Sequence, residues 1–367
     1  MSVRVVAADV AGLVARRGDW DALLSRQPLP DPTRSAGWLS AWWGAYGAPR
    51  RGRDAHVLLA EEDGRLVGGM ALMSDRAPGG VTMLRHLGVS SHWFDPAPLA
   101  NEGRHDVLAA LGRAVADLPA DLVVLEDLVA GAGSTAALAA GIRGAREVAQ
   151  GERRHRYRVA HPPDLRRRRK ETRRLERRAG EAGTLVVEVV EGRARILEGI
   201  DEAIALVERA WRTRGDASEI TGPVGRAYLV AALGSLPPGT AVMSRVVRDG
   251  RLAAFDLALR HGPMAVVFRG NWDPGSRVSG AGWMSMLTLF DHLEGEGVEV
   301  IDLGKFAWSY KRALASPPVQ ELATVQAARG VGGMAGRVLW RTRPTLLSAR
   351  ARARALGTRL GRDRPRG

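Results

Sequence analysis

The chain has 367 residues, room for two domains of ordinary size, and its 45% hydrophobic and 26% charged residues are the balance of a soluble globular protein. It has no cysteine and its eight histidines stand singly, which excludes disulfide frameworks, thiolate zinc, iron–sulfur clusters and a cysteine nucleophile, and makes a metal site unexpected. The formal net charge of +14 raises the question of nucleic acid, so where the charge sits matters.

The opening Met1-Ser2-Val3-Arg4-Val5-Val6 has no long apolar core and reads as neither a signal peptide nor a membrane anchor. Nowhere do eighteen apolar residues run together, so the expected location is cytoplasmic. Ser35 is placed to cap a helix to about Tyr46, with Trp38, Leu39, Trp42, Trp43 and Tyr46 on one face. The apolar runs His56–Glu61 and Leu66–Met73 flank Asp63-Gly64, a hairpin signal, because both central residues of a type I′ turn need positive φ. A strand over about Val81–Leu87 follows, then a helix over about Arg104–Leu118 with Val107, Leu108, Leu111, Val115 and Leu118 at helical spacing. Asp121–Leu128 reads as a buried strand.

The order then recurs. Ile200, Ile204, Val207 and Trp211 mark a helix face, and Val242–Val247 and Leu252–Leu259 form a hairpin around Asp249-Gly250. Met264–Arg269 is a third strand, Gly282–Glu294 an amphipathic helix, and Val298–Leu303 a closing strand. Asp63-Gly64-Arg65-Leu66 returns at Asp249-Gly250-Arg251-Leu252, and Asp127-Leu128 at Asp302-Leu303. The matching order predicts an internal duplication, with residues near 50–130 and 240–305 as two copies of one α/β fold.

Between the third strand and the helix lies Arg277-Val278-Ser279-Gly280-Ala281-Gly282, an R-x-x-G-x-G sequence opening into a helix. A helix N-terminus presents free N–H groups and a positive dipole end, and glycines let an anion approach the backbone. Arg277 adds a fork for a phosphate. In a chain with 44 glycines, an ordinary turn is the alternative. A Rossmann reading fits poorly because the preceding strand ends an antiparallel meander, and no G-K-[ST] of a Walker A loop is present.

Hairpin, third strand, R-x-x-G-x-G loop, helix and closing strand is an order that resembles the core of the GNAT acyltransferases. From about Ser35 to Lys311 the chain looks like their CelD-like and FemAB-like branch. The resemblance rests on Ser35–Gly47, on Trp-Arg-Thr-Arg-Gly-Asp-Ala at Trp211–Ala217, and on Asp302-Leu303-Gly304 followed by Tyr310-Lys311. Asp216 and Ser279 depart from its usual glycine and proline. It implies an α/β fold of two tandem GNAT-like lobes, each a mixed, mainly antiparallel sheet flanked by helices. The expected parts are an N-terminal lobe over 1–150, a basic linker helix over 151–183, a C-terminal lobe with the donor site over 184–330 and a basic tail over 331–367.

The resemblance further implies an enzyme that moves an acyl group from acyl-CoA, acetyl-CoA among them, to an amine on a small molecule or sugar nucleotide, in exopolysaccharide or cell-envelope biosynthesis. Arg277, Ser279, Gly280 and Gly282 would hold the donor's phosphates. Tyr310 would protonate the departing thiolate, a task that suits a phenol, whose pKa lies within about two units of a thiol's. Lys311 would hold a carbonyl oxygen or an acceptor phosphate, Asp302 would orient or deprotonate the amine, and Trp211 and Arg214 would line the acceptor pocket. The duller alternatives are a turn cap for Asp302, a covered strand end for Tyr310 and Lys311, core for Trp211 and solvent for Arg214.

The charge is concentrated. Leu165–Arg178 carries +7 and Gly336–Gly367 carries +9, so the remainder is nearly neutral at −2. The first reads as a solvated helix or an anion-binding one, without the interleaved aromatics of a single-strand stacking surface. The second reads as a disordered or loosely helical extension, with an anionic membrane at the inner face as an alternative contact. Two other functions stay open: an aminoacyl-tRNA-dependent FemAB-like transferase, and a non-catalytic nucleic-acid- or membrane-binding protein.

Overall fold

The computed structural model describes residues 2–342 apart from 78, 89–96, 145, 161–164, 182, 213–217, 306, 307 and 317. The first lobe runs β1 (Arg4–Ala8), α1 (Val10–Ala15), α2 (Arg17–Ser25), α3 (Ala36–Trp42), β2 (Asp54–Glu62), β3 (Arg65–Arg76), β4 (Thr82–His86), a two-residue β5 (Leu99–Ala100), α4 (His105–Asp117), β6 (Leu122–Val129), α5 (Gly133–Arg143) and β7 (Glu147–Ala160). Helix α6 (Arg166–Glu181) follows. The second lobe runs β8 (Leu185–Glu191), α7 (Arg193–Glu198), α8 (Ile200–Arg212), α9 (Gly222–Ser235), β9 (Ala241–Arg248), β10 (Arg251–His261), β11 (Met264–Trp272), α10 (Ala281–Gly295), β12 (Val300–Lys305), α11 (Ser309–Leu314) and β13 (Gln320–Ala328).

Local chemistry explains the shared pieces. Both hairpins turn on Asp-Gly with positive φ at both positions, 51° and 76° at Asp63-Gly64 and 48° and 77° at Asp249-Gly250. Ser35 caps α3 by accepting from the Trp38 N–H. Helix α4 buries Val107, Leu108, Leu111 and Val115, the stripe its spacing predicts.

All the strands join one sheet, in the order β1-β2-β3-β4-β6-β13-β7-β12-β11-β10-β9-β8, with β5 off this path against β3. The order is a palindrome if β1, β2, β3, β4, β6 and β7 are matched with β8, β9, β10, β11, β12 and β13. Each lobe is a mainly antiparallel meander with one parallel pair, β4 with β6 and β11 with β12. The duplicated lobes therefore share a continuous sheet and still keep their repeat. Each lobe's last strand has crossed to the other: β13 pairs with β6, and β7 pairs with both β12 and β13.

One core spans both lobes on the face covered by α3 and α9. Trp38 of α3 stacks edge-on against Phe268 of β11 at 5.0 Å and Tyr228 of α9 at 5.9 Å, all three fully buried. The tail does not begin where its composition changes. Residues 330–342 are helical, Arg337 is buried, and Trp340 lies 4.9 Å from Arg85 of β4, so this stretch packs on the first lobe. The arginines beyond 342 lie outside the described residues.

Candidate active site

Parallel strands β11 and β12 pair only from Met264 to Val266 against Val300 to Asp302. Beyond that they part, leaving an edge of β11 that does not pair with β12. A cleft of about 670 Å³ opens in this wedge, walled by Val267, Arg269 and Asn271 of β11, Leu303 of β12 and the start of α10. An open strand edge offers N–H and C=O groups to an extended, amide-bearing ligand.

The loop Arg277–Gly282 forms the cleft's mouth. Gly280 is the N-cap of α10 with φ 78°, a left-handed conformation that other residues adopt only with strain. It supplies no side-chain cap, and no acidic residue occupies the first turn, so the helix's terminal N–H groups and dipole are left for an anion. Arg277 itself sits at φ 56°, a strained position for an arginine, and is exposed at the rim. Ser279 and Gly282 line the same mouth. These residues fit a bound pyrophosphate.

The cleft floor holds a group the sequence reading missed. Asp256 of β10 lines it and is only 7% exposed. Burial pushes its carboxyl up to about 8, against a hydrogen bond from Ser285 that opposes the rise. Ser285 is in turn 2.8 Å from Ser244. Asp256 stands opposite Gly270 in the ladder, and a Cβ there would fall 1.9 Å from its Oδ1. Arg269 is the second such group. It is 3% exposed, ion-paired with Glu219 at 3.6 Å, and its Nε has no hydrogen-bond partner among the described residues. The signal for Asp256 was available: it is the one acid among apolar neighbours in Ala253-Ala254-Phe255-Asp256-Leu257-Ala258.

Tyr310, in the first turn of α11, lines the cleft, and burial followed by the neighbouring Asp256 raises its pKa well above a free phenol's. Trp211 forms another wall, with Arg269 5.8 Å from its ring centre. Arg214 lies outside the described residues. Asp302 and Lys311 go elsewhere. Asp302 is fully buried and accepts from Arg156 Nε at 2.5 Å, Arg158 Nε at 3.0 Å and the Gly304 N–H at 2.7 Å. Oδ2 thus holds the seam with β7 while Oδ1 holds the backbone of β12 itself, and Asp302 does not line the cleft. Lys311 is also fully buried, with Nζ donating to the Lys305 carbonyl at 2.6 Å, and burial lowers its pKa to about 7.

In the first lobe's counterpart, Arg85, the last residue of β4 to pair with β6, forms an ion pair with Glu126 at 2.7 Å and stacks on Trp340. The counterpart helix α4 carries Asp106 in its first turn, and its N-cap Arg104 is paired with Glu62 and Asp106. A carboxylate at that helix end opposes an incoming phosphate.

No curated protein sequence matches this chain. Among solved structures, FemX shares 13% identity with a TM-score of 0.58, covering 84% of this chain and 95% of its own. A conserved protein of unknown function from Bacteroides thetaiotaomicron has 15% identity and a TM-score of 0.57, with 89% and 100% covered. The C-terminal domain of a putative lysylphosphatidylglycerol synthetase from Agrobacterium fabrum has 14% identity and a TM-score of 0.53, with 91% and 96% covered. At these identities the likeness is one of fold. Residues 166–312, which hold the cleft, its loop and Tyr310, match the acetyltransferase (GNAT) domain family. The chain therefore carries a GNAT acetyltransferase domain in its second lobe, within a two-lobed fold it shares with FemX.

Proposed function

We propose that the second lobe transfers an acyl group from an acyl-CoA thioester to an amine. The observation that carries this reading is the coincidence of three features at one cleft: the parted β11–β12 edge, the uncapped α10 N-terminus and the Arg277–Gly282 loop. The loop holds the pyrophosphate, and the open edge takes the amide-bearing arm. Arg269 Nε, buried and free to donate, steadies the thioester oxygen as negative charge develops there.

Asp256 takes over the proton-accepting role expected of Asp302. An ammonium has no lone pair, so it must lose a proton before nitrogen attacks the thioester carbon. With its pKa near 8, Asp256 is about a tenth ionised at pH 7 and a matched acceptor for that proton. As the C–N bond forms and the C–S bond breaks, Tyr310 gives its proton to the departing sulfur, and the proton the new amide nitrogen sheds restores the phenol through solvent. Its raised pKa keeps it a phenol until that moment.

The acceptor is an amine on a small molecule or a sugar nucleotide, and a cytoplasmic place in exopolysaccharide or cell-envelope synthesis suits such chemistry. No helix among the described residues is long and apolar enough to cross a membrane. A second reading, with aminoacyl-tRNA as donor, draws support from the fold shared with FemX and from the exposed cations of α6. Titration calorimetry with acetyl-CoA, followed by a thiol-release assay across amine acceptors, tests the first reading. Saturable binding with amine-dependent thiol release is expected, and failure to bind acetyl-CoA overturns it.

A further inference from the structure

Helix α6 stands outside the strand and helix order that the two lobes repeat, yet it packs directly on the donor loop. A Cβ on Gly280 would lie 2.7 Å from Leu175 Cδ1, so this helix buttresses the N-cap of α10. Arg168 lays its guanidinium over Trp283, 4.4 Å from the ring centre, and Trp283 lines the cleft. Thr172 and Ala179 are buried and Leu175 is partly buried on the inward stripe. Arg169 is paired with Asp291 and Glu294 of α10.

That leaves Lys170, Arg173, Arg174, Arg177 and Arg178 exposed, with no acidic partner among the described residues. Five like charges crowd into about 12 Å of helix at 1.5 Å per residue, an arrangement that repels itself unless an anion joins it. A turn of about 100° per residue divides them. Lys170, Arg173 and Arg177 follow Arg169 along a groove that also holds Glu176 and ends at Leu185. By that turn Arg174 and Arg178 fall on the other flank of Leu175, the residue that touches the loop at Gly280, and away from the flank of Arg169. No exposed aromatic residue interleaves them, which disfavours a stacked single strand.

We propose that Arg174 and Arg178 bind the ribose 3′-phosphate of the donor nucleotide, with Arg168 fixing Trp283 beneath it. This rests on the coenzyme A reading above. With the pyrophosphate on α10, the element that touches the loop through Leu175 and Trp283 through Arg168 is α6, which would carry its cations beside the nucleotide. A phosphomonoester there meets two forked guanidinium groups that have no other anion.

Calorimetry on the full chain with coenzyme A and with dephospho-CoA, which lacks only that phosphate, decides the matter. The wild type is expected to bind coenzyme A about tenfold or more tightly, the scale of one charge-assisted hydrogen bond. Arg174→Gln with Arg178→Gln should abolish the preference and leave dephospho-CoA affinity unchanged. Arg177→Gln, on the far flank, should preserve the preference. Equal wild-type affinity for the two ligands, both saturably bound, overturns this inference and leaves the donor reading standing. Binding of neither overturns the donor reading itself. A single-stranded oligonucleotide that competes with coenzyme A, and loses that ability in the double variant, also overturns the inference and assigns the ridge to nucleic acid.

Discussion

Replacing Asp256 with Asn separates its proton from its shape. The carboxyl moves from 3.8 to about 8 on folding. At about 1.36 kcal/mol per pH unit, ionising it in place costs on the order of 5 kcal/mol at most. The sign follows from the direction. The folded value lies above the unfolded one, so between about pH 4 and pH 8 the folded chain keeps a proton that the unfolded chain has released. Stability therefore falls as pH rises through that window, and levels off above the folded value. Asp256→Asn carries no such proton and can still pair with Ser285. Urea unfolding at pH 5 and pH 9 should show the variant gaining on the wild type by a few kcal/mol between the two. Its acetyl-CoA affinity should hold while transfer slows by about 10²-fold or more, the usual loss for a positioned base. The wild-type rate should rise with pH to an apparent pKa near 8, and that limb should vanish in the variant. A limb near 8 that survives in Asp256→Asn, or a stability difference that does not change with pH, would refute the assignment.

The donor loop offers cleaner changes than Gly280→Val, whose Cβ would strike Leu175 at a positive-φ position and disturb the packing itself. A Cβ on Gly282 comes no nearer to its surroundings than 3.6 Å, from Trp272, so Gly282→Ala should fold with up to about 1 kcal/mol of added helix stability and still bind acetyl-CoA more weakly by calorimetry. Arg277→Gly relieves a left-handed arginine, worth about 1–2 kcal/mol, and should raise the melting temperature while lowering donor affinity. Tyr310→Phe should leave donor affinity intact and slow thiol release, because its proton is needed only as sulfur departs. Truncation after residue 342 should leave the unfolding midpoint unchanged. Truncation before β13 should unfold both lobes, as read by the loss of a single cooperative transition.

The parts of the fold that follow local rules were legible. Asp-Gly at both hairpins, the Ser35 cap and the apolar stripe of α4 each specify their element within a few residues. Strand β7 was not legible, because its charge hides its pattern: Arg154, Arg156 and Arg158 alternate at period two, which is a strand facing a row of acids. Nor does any local signal say which lobe a last strand joins, since that depends on a partner far along the chain. The loop's position at a helix N-terminus was readable from its spacing. The surroundings of Asp302 were hidden for a related reason, since an acid in a strand looks the same whether it faces a substrate or two arginines of a distant strand.

The exchange of β7 and β13 gives the first lobe a reason to persist. Asp302 is the last residue of β12 to pair with β11, and Lys305 ends the stretch that must stay parted from β11 for the cleft to exist. Arg156 and Arg158 of β7 fasten Asp302, and Asp127 of β6, held at φ 63°, fastens Lys305 at 2.6 Å. All three partners come from the first half of the chain. Buried ion pairs of this kind add little net stability, but removing one partner strands a buried charge, so they hold a single register. Trp38 adds an apolar contact across the same boundary against Phe268, whose strand forms the opposite wall of the wedge. The first lobe places Arg85, Glu126 and Trp340 at the corresponding position, and through its exchanged strand it sets the geometry of the second lobe's wedge.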